Sequence, residues 1–233
     1  MKLFPPMQRS VLRLVLLLSS LAILAATMEV ALRFYFYHSK DFAIEMWKYA
    51  AQLKLPVSNP DLGFTHVPNR HALLMGVDVH INSHGHRDRE CSVVKAPGTC
   101  RILMLGDSTT FGWGVQLEAT IPKLLESRLN EGRLSGIDRF EVLNAGVGNY
   151  NTVQELAFYE TIGKDFDPDL IILVFFINDP EQVPRERRMF FVRRSYLVTF
   201  LSSRFDTLLR RIGMRPSWQK DYASLYEDDK PGF

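Results

Sequence analysis

One serine, one glycine-rich turn and one asparagine occupy equivalent places in this sequence, each directly after a run of apolar residues. Ser108 closes Arg101-Ile-Leu-Met-Leu-Gly-Asp-Ser108, the turn Asn144-Ala-Gly-Val-Gly-Asn149 follows Phe140-Glu-Val-Leu143, and Asn178 follows Asp169-Leu-Ile-Ile-Leu-Val-Phe-Phe-Ile177. A serine hydroxyl attacks a carbonyl carbon only when a base takes its proton and hydrogen-bond donors receive the oxyanion. Ser108 is the candidate nucleophile, and its own N–H is a candidate oxyanion donor. The turn offers a second N–H, that of Gly148 or of Asn149, because glycine lets a backbone approach a ligand closely. The Asn178 side chain offers a neutral NH2. Each such donor lowers the barrier by on the order of 3 kcal/mol. Gly-Asp-Ser or Asn-Asp-Pro alone reads as a helix-capping turn; their joint placement is what points to acyl chemistry.

The elements that must position these residues are strands alternating with helices. Arg101–Leu105 and Phe140–Gly146 read as buried strands, and Asp169–Ile177 as a third, too continuously apolar to have a solvated face. Glu118–Asn130 has helical spacing, with Ile121, Leu124, Leu125 and Leu129 on one face. Thr152–Ile162 reads as a helix capped by Thr152, with Glu155 completing a capping box and Gly163 closing it. This alternation predicts a parallel, doubly wound sheet covered on both faces, with the functional residues beyond the carboxyl ends of its strands. Ser195–Met214 reads as an amphipathic helix, with Arg193, Arg194, Arg204, Arg210 and Arg211 around it. A nucleophile elbow is not met, since position 110 is Thr, and no Gly-Lys-Ser/Thr follows the first strand.

The first 37 residues differ in kind. Lys2, Arg9 and Arg13 precede Leu14–Met28, which carries no charge, and Phe34-Tyr-Phe-Tyr37 lies beyond it. That is the pattern of a single membrane-spanning helix with a cytoplasmic N-terminus and an aromatic belt at its far end; a cleaved signal peptide is the rival reading. Residues 38–100 read as an irregular extension broken by Pro and Gly, with one alternating stretch at Leu74–Ile81 and a flexible polar loop at Asn82–Glu90. Residues 101–233 form the third part. A formal net charge of +2 in 233 residues excludes a strongly basic nucleic-acid protein, and no nucleic-acid partner is expected. Cys91 and Cys100 are too few for a disulfide scaffold: they pair across a short loop or stay as two thiols. His84-Gly-His86 is too weak a pattern for a metal site, and a solvated or structural role is expected for both histidines.

Gly106-Asp-Ser-Thr109, Val142-Leu-Asn-Ala-Gly-Val-Gly-Asn-Tyr-Asn-Thr152 and Ile177-Asn178-Asp179 together resemble the first three blocks of the SGNH (GDSL-like) hydrolases. Asn82-Ser-His-Gly-His-Arg87 and Glu29-x-x-Leu-Arg33 look like the membrane-anchored bacterial branch. The resemblance implies a flavodoxin-like, three-layer α/β/α fold with a parallel sheet behind an N-terminal transmembrane helix. It further implies hydrolysis of O-acyl, often O-acetyl, esters on polysaccharide, with no cofactor or metal, at the outer face of a bacterial inner membrane. The partners so implied are an acylated carbohydrate, or another ester substrate, and the membrane. Ungapped matching puts the family's oxyanion glycine at Asn149, one residue after Gly148, and its third-block glycine at Phe176. The family's general base, a histidine in a C-terminal Asp-x-x-His block, has no match. All six histidines (His38, His66, His71, His80, His84 and His86) precede Ser108. The expectation is a member truncated at its C-terminus, its sheet incomplete and its His/Asp pair absent. Two alternatives to hydrolysis stand beside this: a glycan O-acetyltransferase using the same site, and a catalytically incomplete carbohydrate-binding relic.

Overall fold

The computed structural model describes residues 6–132, 136–176 and 195–217. Asn178 and Asp179 lie outside them. The chain divides into two compact units, Met1–Ser39 with Arg188–Phe233, and Lys40–Arg187. The first unit opens with α1 (Pro6–His38), whose stretch Ser10–His38 is long and apolar enough to cross a membrane.

In the second unit the segment expected to be irregular is ordered. It folds as α2 (Phe42–Leu53), β1 (Lys54–Pro56), β2 (Phe64–His66), β3 (Arg70–Leu74) and β4 (Val77–Ile81). Asp41 starts α2 by accepting a hydrogen bond from Ile44 N at 3.2 Å. The stretch Leu74–Ile81 spans the turn of an antiparallel hairpin, with Leu74 opposite Val77. Met75 and Gly76 take φ of 50° and 76°, the positive values a two-residue hairpin turn demands. Met at the first of these positions hides the turn from a sequence reading. The buried Glu45 holds it in place, accepting from Met75 N at 2.8 Å. Tyr49, Leu53, Ala72, Leu74, Val77, Val79 and Ile81 then form a core together with Phe111.

The rest of the unit is β5 (Thr99–Gly106), α3 (Ser108–Phe111), α4 (Ile121–Glu131), β6 (Arg139–Gly146), α5 (Thr152–Thr161) and β7 (Leu170–Val174). The three strands form a parallel sheet in the order β6-β5-β7. Alternate side chains go to opposite faces. Ile102, Met104, Phe140 and Val142 cluster with Leu125 and Leu129 of α4. Leu103, Leu105, Leu143 and Ala145 cluster with Ala157 and Phe158 of α5. At the amino end of β5, the buried Arg101 uses all five N–H donors, on Glu141 (twice) and on the carbonyls of Ser92, Val93 and Phe166. Two helix expectations need correction. Asn151, not Thr152, caps α5 by accepting from Gln154 N at 3.0 Å, because the strand-end turn delivers its short amide side chain there. Gly163 opens a 3-10 turn, and Ile162 caps the helix.

The sheet's two edges are built differently. On β6 every second N–H points away from β5, and each meets a side-chain oxygen instead of a neighbouring strand. Phe140 N donates to Asn130 Oδ1 (2.9 Å), Val142 N to Glu126 Oε2 (2.8 Å), Asn144 N to Asp88 Oδ2 (2.9 Å) and Gly146 N to Asn144 Oδ1 (3.1 Å). Beyond the strand, Gly148 N continues the series to Tyr49 Oη at 2.8 Å. The edge is thereby closed to further pairing. On β7 no N–H donates to a side chain among the described residues. The expectation that this strand lacks a solvated face is overturned, since Leu170, Ile171 and Leu173 are 51%, 39% and 44% exposed. The cause is coverage: among the described elements α4 lies over β6 and α5 over β5, and β7 is left at the margin.

In the first unit, α6 (Tyr196–Arg211) is capped by Ser195, whose Oγ accepts from Val198 N. It packs against α1.

Candidate active site

Parallel register aligns the carboxyl ends of the strands. Gly106 of β5 lies opposite Gly146 of β6 and Val174 of β7. Past Gly106 the chain turns at once into α3, because Asp107 Oδ1 accepts from Thr109 N at 2.8 Å and caps it. Ser108 is the first residue of that turn, half-buried. Its Oγ lies 3.4 Å from Asp107 Oδ2, too long for a strong hydrogen bond. Its N–H has no partner among the described residues. Both strand-end glycines are required by close approach. A Cβ on Gly146 would stand 2.2 Å from Phe111 N, and one on Gly106 would stand 2.1 Å from Thr110 Oγ1. The α3 turn sits directly on the two strand ends, and only glycine leaves it room.

The glycine-rich turn is resolved into its two candidates. Tyr150 N bonds Val147 O at 3.0 Å, and Asn149 takes φ 68°, the positive value a type II turn needs at its third residue. Gly148 N–H is committed to Tyr49 Oη. Asn149 is exposed, and its N–H has no partner among the described residues. Of the two N–H groups, Asn149 is the one left to meet a ligand.

Tyr49 belongs to a buried relay. Its Oη lies 2.7 Å from His66 Nε2, and His66 Nδ1 lies 3.1 Å from Gly85 O. A carbonyl only accepts, so Nδ1 carries the proton, Nε2 is the acceptor, and Tyr49 O–H donates to it. Burial lowers the His66 pKa to about 3 and raises that of Tyr49 well above the ordinary phenol value. Both groups therefore stay neutral near pH 7, and the chain of donors runs one way from Gly148 N–H to Gly85 C=O. The relay holds the turn from beneath.

The loop Asn82–Glu90, expected to be flexible and polar, is a brace with a buried centre. Asn82, His86, Arg87 and Asp88 are each no more than 3% exposed. Asn82 Oδ1 accepts from His84 N and His86 N. The Arg87 guanidinium donates to the carbonyls of Phe111, Gly112 and Val115 at the far end of α3. Asp88 joins Lys123 at 2.7 Å, and Lys123 joins Glu126 at 2.9 Å. Burial raises the Asp88 pKa against the pull of Lys123. For Glu126 burial also opposes ionisation, but Lys123 and Val142 N–H outweigh it and the pKa falls. His86 is packed between Phe158 and Phe166, with neither ring nitrogen hydrogen-bonded among the described residues, and burial lowers its pKa to about 4. A polar run is solvated only if nothing covers it; here the strand ends and α4 do.

Of the four residues expected at the site, Ser108, Gly148 and Asn149 lie beyond the ends of adjacent strands. Asn178 falls outside the described residues. No histidine hydrogen-bonds Ser108 among the described residues: His66 bonds Tyr49 and Gly85 O, His86 is enclosed by Phe158 and Phe166, and the ring of His84 bonds Cys91 O at 3.0 Å. Cys91 and Cys100 are free thiols, and burial pushes the Cys91 pKa up to about 11. Among the described residues no three His, Cys, Asp or Glu side chains gather to hold a metal ion. Tyr49, His66, Arg87 and Asp88 were missed as supports of the site. For Arg87 and Asp88 the sequence signal is the density of polar residues at 82–90 just ahead of a buried strand; Tyr49 and His66 carry none. No protein-family model matches the chain, and no curated protein matches it.

Proposed function

We propose that this chain is a serine esterase of the SGNH type, with Ser108 as nucleophile, acting on O-acyl esters, O-acetyl above all, of extracytoplasmic polysaccharide. In this reading the sheet is the core of a flavodoxin-like α/β/α domain. The order β6-β5-β7, with the central strand first in sequence, opens that topology, and separate helix-backed clusters on the two faces support it. α1 is the anchor, a single pass through a bacterial inner membrane with its N-terminus in the cytoplasm.

One observation carries the reading. The Gly106–Gly146 pairing brings Ser108 and Asn149 beyond neighbouring strand ends, each with an N–H that no described residue uses. Ser108 Oγ attacks the acyl carbon while a general base takes its proton and later returns it to the departing sugar oxygen. The N–H groups of Ser108 and Asn149, with the Asn178 side chain, receive the oxyanion. Collapse expels the sugar hydroxyl, and water repeats the sequence to release the acid. A proton acceptor is required, and Asp107 is a poor one, because its carboxylate already caps α3.

That same observation favours a second reading, a carbohydrate-binding domain without turnover. Hydrolysis of p-nitrophenyl acetate by the full chain and by Ser108→Ala separates them. The esterase reading expects Ser108→Ala to lose the activity and to lose covalent labelling by a fluorophosphonate. Equal rates in the two proteins would sink it. With a glycan acceptor present, acetyl transfer to the glycan in place of free acetate would reassign the site to an acyltransferase.

A further inference from the structure

α6 carries an apolar stripe that the described residues leave largely uncovered. Val198, Leu201, Phe205, Leu208 and Ile212 recur at spacings of three and four residues, which aligns them on one face, and they are 39% to 60% exposed. Arg204 and Arg211 border this stripe. With Arg210 and Arg215 they make four arginines against one acid, Asp206, which is itself engaged by Arg210 and Arg215.

The start of α6 is tied to a particular level of α1. Glu29 is the first charge after the apolar run Leu14–Met28. Its carboxylate accepts from Ser195 Oγ at 2.9 Å, Tyr196 N at 3.1 Å and Leu197 N at 2.9 Å, which satisfies donors that a helix start leaves open. Arg33 bonds Glu29 at 3.1 Å and stands over the Tyr196 ring, and Phe36 meets that ring edge-on. If α1 crosses the bilayer, Glu29 marks the depth at which hydrocarbon ends and headgroups begin, and α6 begins at that depth.

We infer that α6 is an interfacial helix. Its apolar stripe enters the acyl boundary of the outer leaflet, and its arginines meet the phosphates of anionic phospholipid. The inference rests on α1 spanning the membrane. The charge pattern selects the bilayer over a second copy of the chain. Helices that pair along such a stripe place opposite charges beside it, whereas a pair of α6 helices would set arginines against arginines.

The test uses the full chain in phosphatidylglycerol-containing vesicles, with Cys91→Ser and Cys100→Ser. Single nitroxides are placed through Leu201→Cys, Phe205→Cys, Leu208→Cys, Ser203→Cys, Thr207→Cys and, in mid-span of α1, Leu21→Cys. The stripe positions are expected to lose collision with an aqueous nickel chelate and to gain collision with oxygen dissolved in lipid, while positions 203 and 207 stay open to nickel. Replacing the anionic lipid by phosphatidylcholine reduces the protection; equal protection in both lipids overturns the role given to the arginines. Nickel access at the stripe while position 21 reports lipid overturns the inference and leaves the span standing. Nickel access at position 21 removes the span itself. Protection from both probes, with spin broadening that vanishes on dilution with unlabelled chain, makes the occupant a second copy and also overturns the inference.

Discussion

The central strand β5 has two neighbours, and they are held by opposite means. β6 has its outward N–H groups satisfied by Asn130, Glu126, Asp88 and Asn144, with Tyr49 continuing the series past its end, and its Val142, Leu143 and Ala145 are buried. β7 is the more apolar segment and the less covered one. Apolar content reports what a strand must hide, not what hides it. Closing an edge without another strand takes acceptors from several distant segments, here α2, the 82–90 loop and α4, placed against alternate residues of one strand. The same closure runs on to the turn bearing Asn149, so the edge that is sealed is also the edge that carries half of the candidate site.

The sharpest way to break this comparison is Asp88→Ala. It leaves the buried Lys123 ammonium with Glu126 alone and orphans Asn144 N–H. Loss of one partner from a buried charge cluster costs about 3–5 kcal/mol, which urea unfolding of the full chain in detergent would register. If the loss were under about 1 kcal/mol, the side-chain edge would be ornamental. A matched pair comes next. Leu143→Ala, at a side chain 2% exposed on β6, should cost about 3 kcal/mol. Leu173→Ala, at 44% exposed on β7, should cost under about 1 kcal/mol. Equal costs would mean that β7 is covered after all.

Tyr49→Phe probes where the closed edge meets the site. It strands Gly148 N–H and His66 Nε2 in a buried place at about 1–3 kcal/mol, and amide exchange of Gly148 and Asn149 should speed up. Unchanged exchange would detach Tyr49 from the turn. A dependence on pH completes the comparison. His66 and His86 have folded pKa values of about 3 and about 4, against 6.5 when exposed. The unfolded chain therefore binds protons that the folded chain refuses as pH falls below 6.5. Their contribution is intact above that value and declines by up to about 1.4 kcal/mol per pH unit for each histidine. Unfolding midpoints should be flat above pH 7 and fall between pH 6.5 and 5, and His86→Phe should remove one proton's share of the slope. An unaltered slope would mean that His86 is protonated in the fold.

Much of the site's frame was legible in the residues themselves. The strands ending at Gly106 and Gly146, the helix that follows each of them, and the apolar helix at the N-terminus follow from periodicity and from local turn chemistry, which neighbours in sequence control. So does the placement of Ser108 and of the Gly148-Asn149 turn beyond neighbouring strand ends, because parallel strands in register bring their carboxyl ends to one edge. The order within 38–100 was not legible, since its hairpin turns on a Met in a positive-φ position. Nor was the choice between two adjacent N–H groups. Tertiary structure made that choice, by setting the hydroxyl of Tyr49, ninety-nine positions away, against Gly148 and leaving Asn149 open. It also turned Asn82, His86, Arg87 and Asp88 of the polar run 82–90 into a buried brace. The physical reason is the same in each case: periodicity records which face of an element is apolar, whereas a polar group's role depends on which partner the fold delivers to it, and that partner has no fixed distance along the chain.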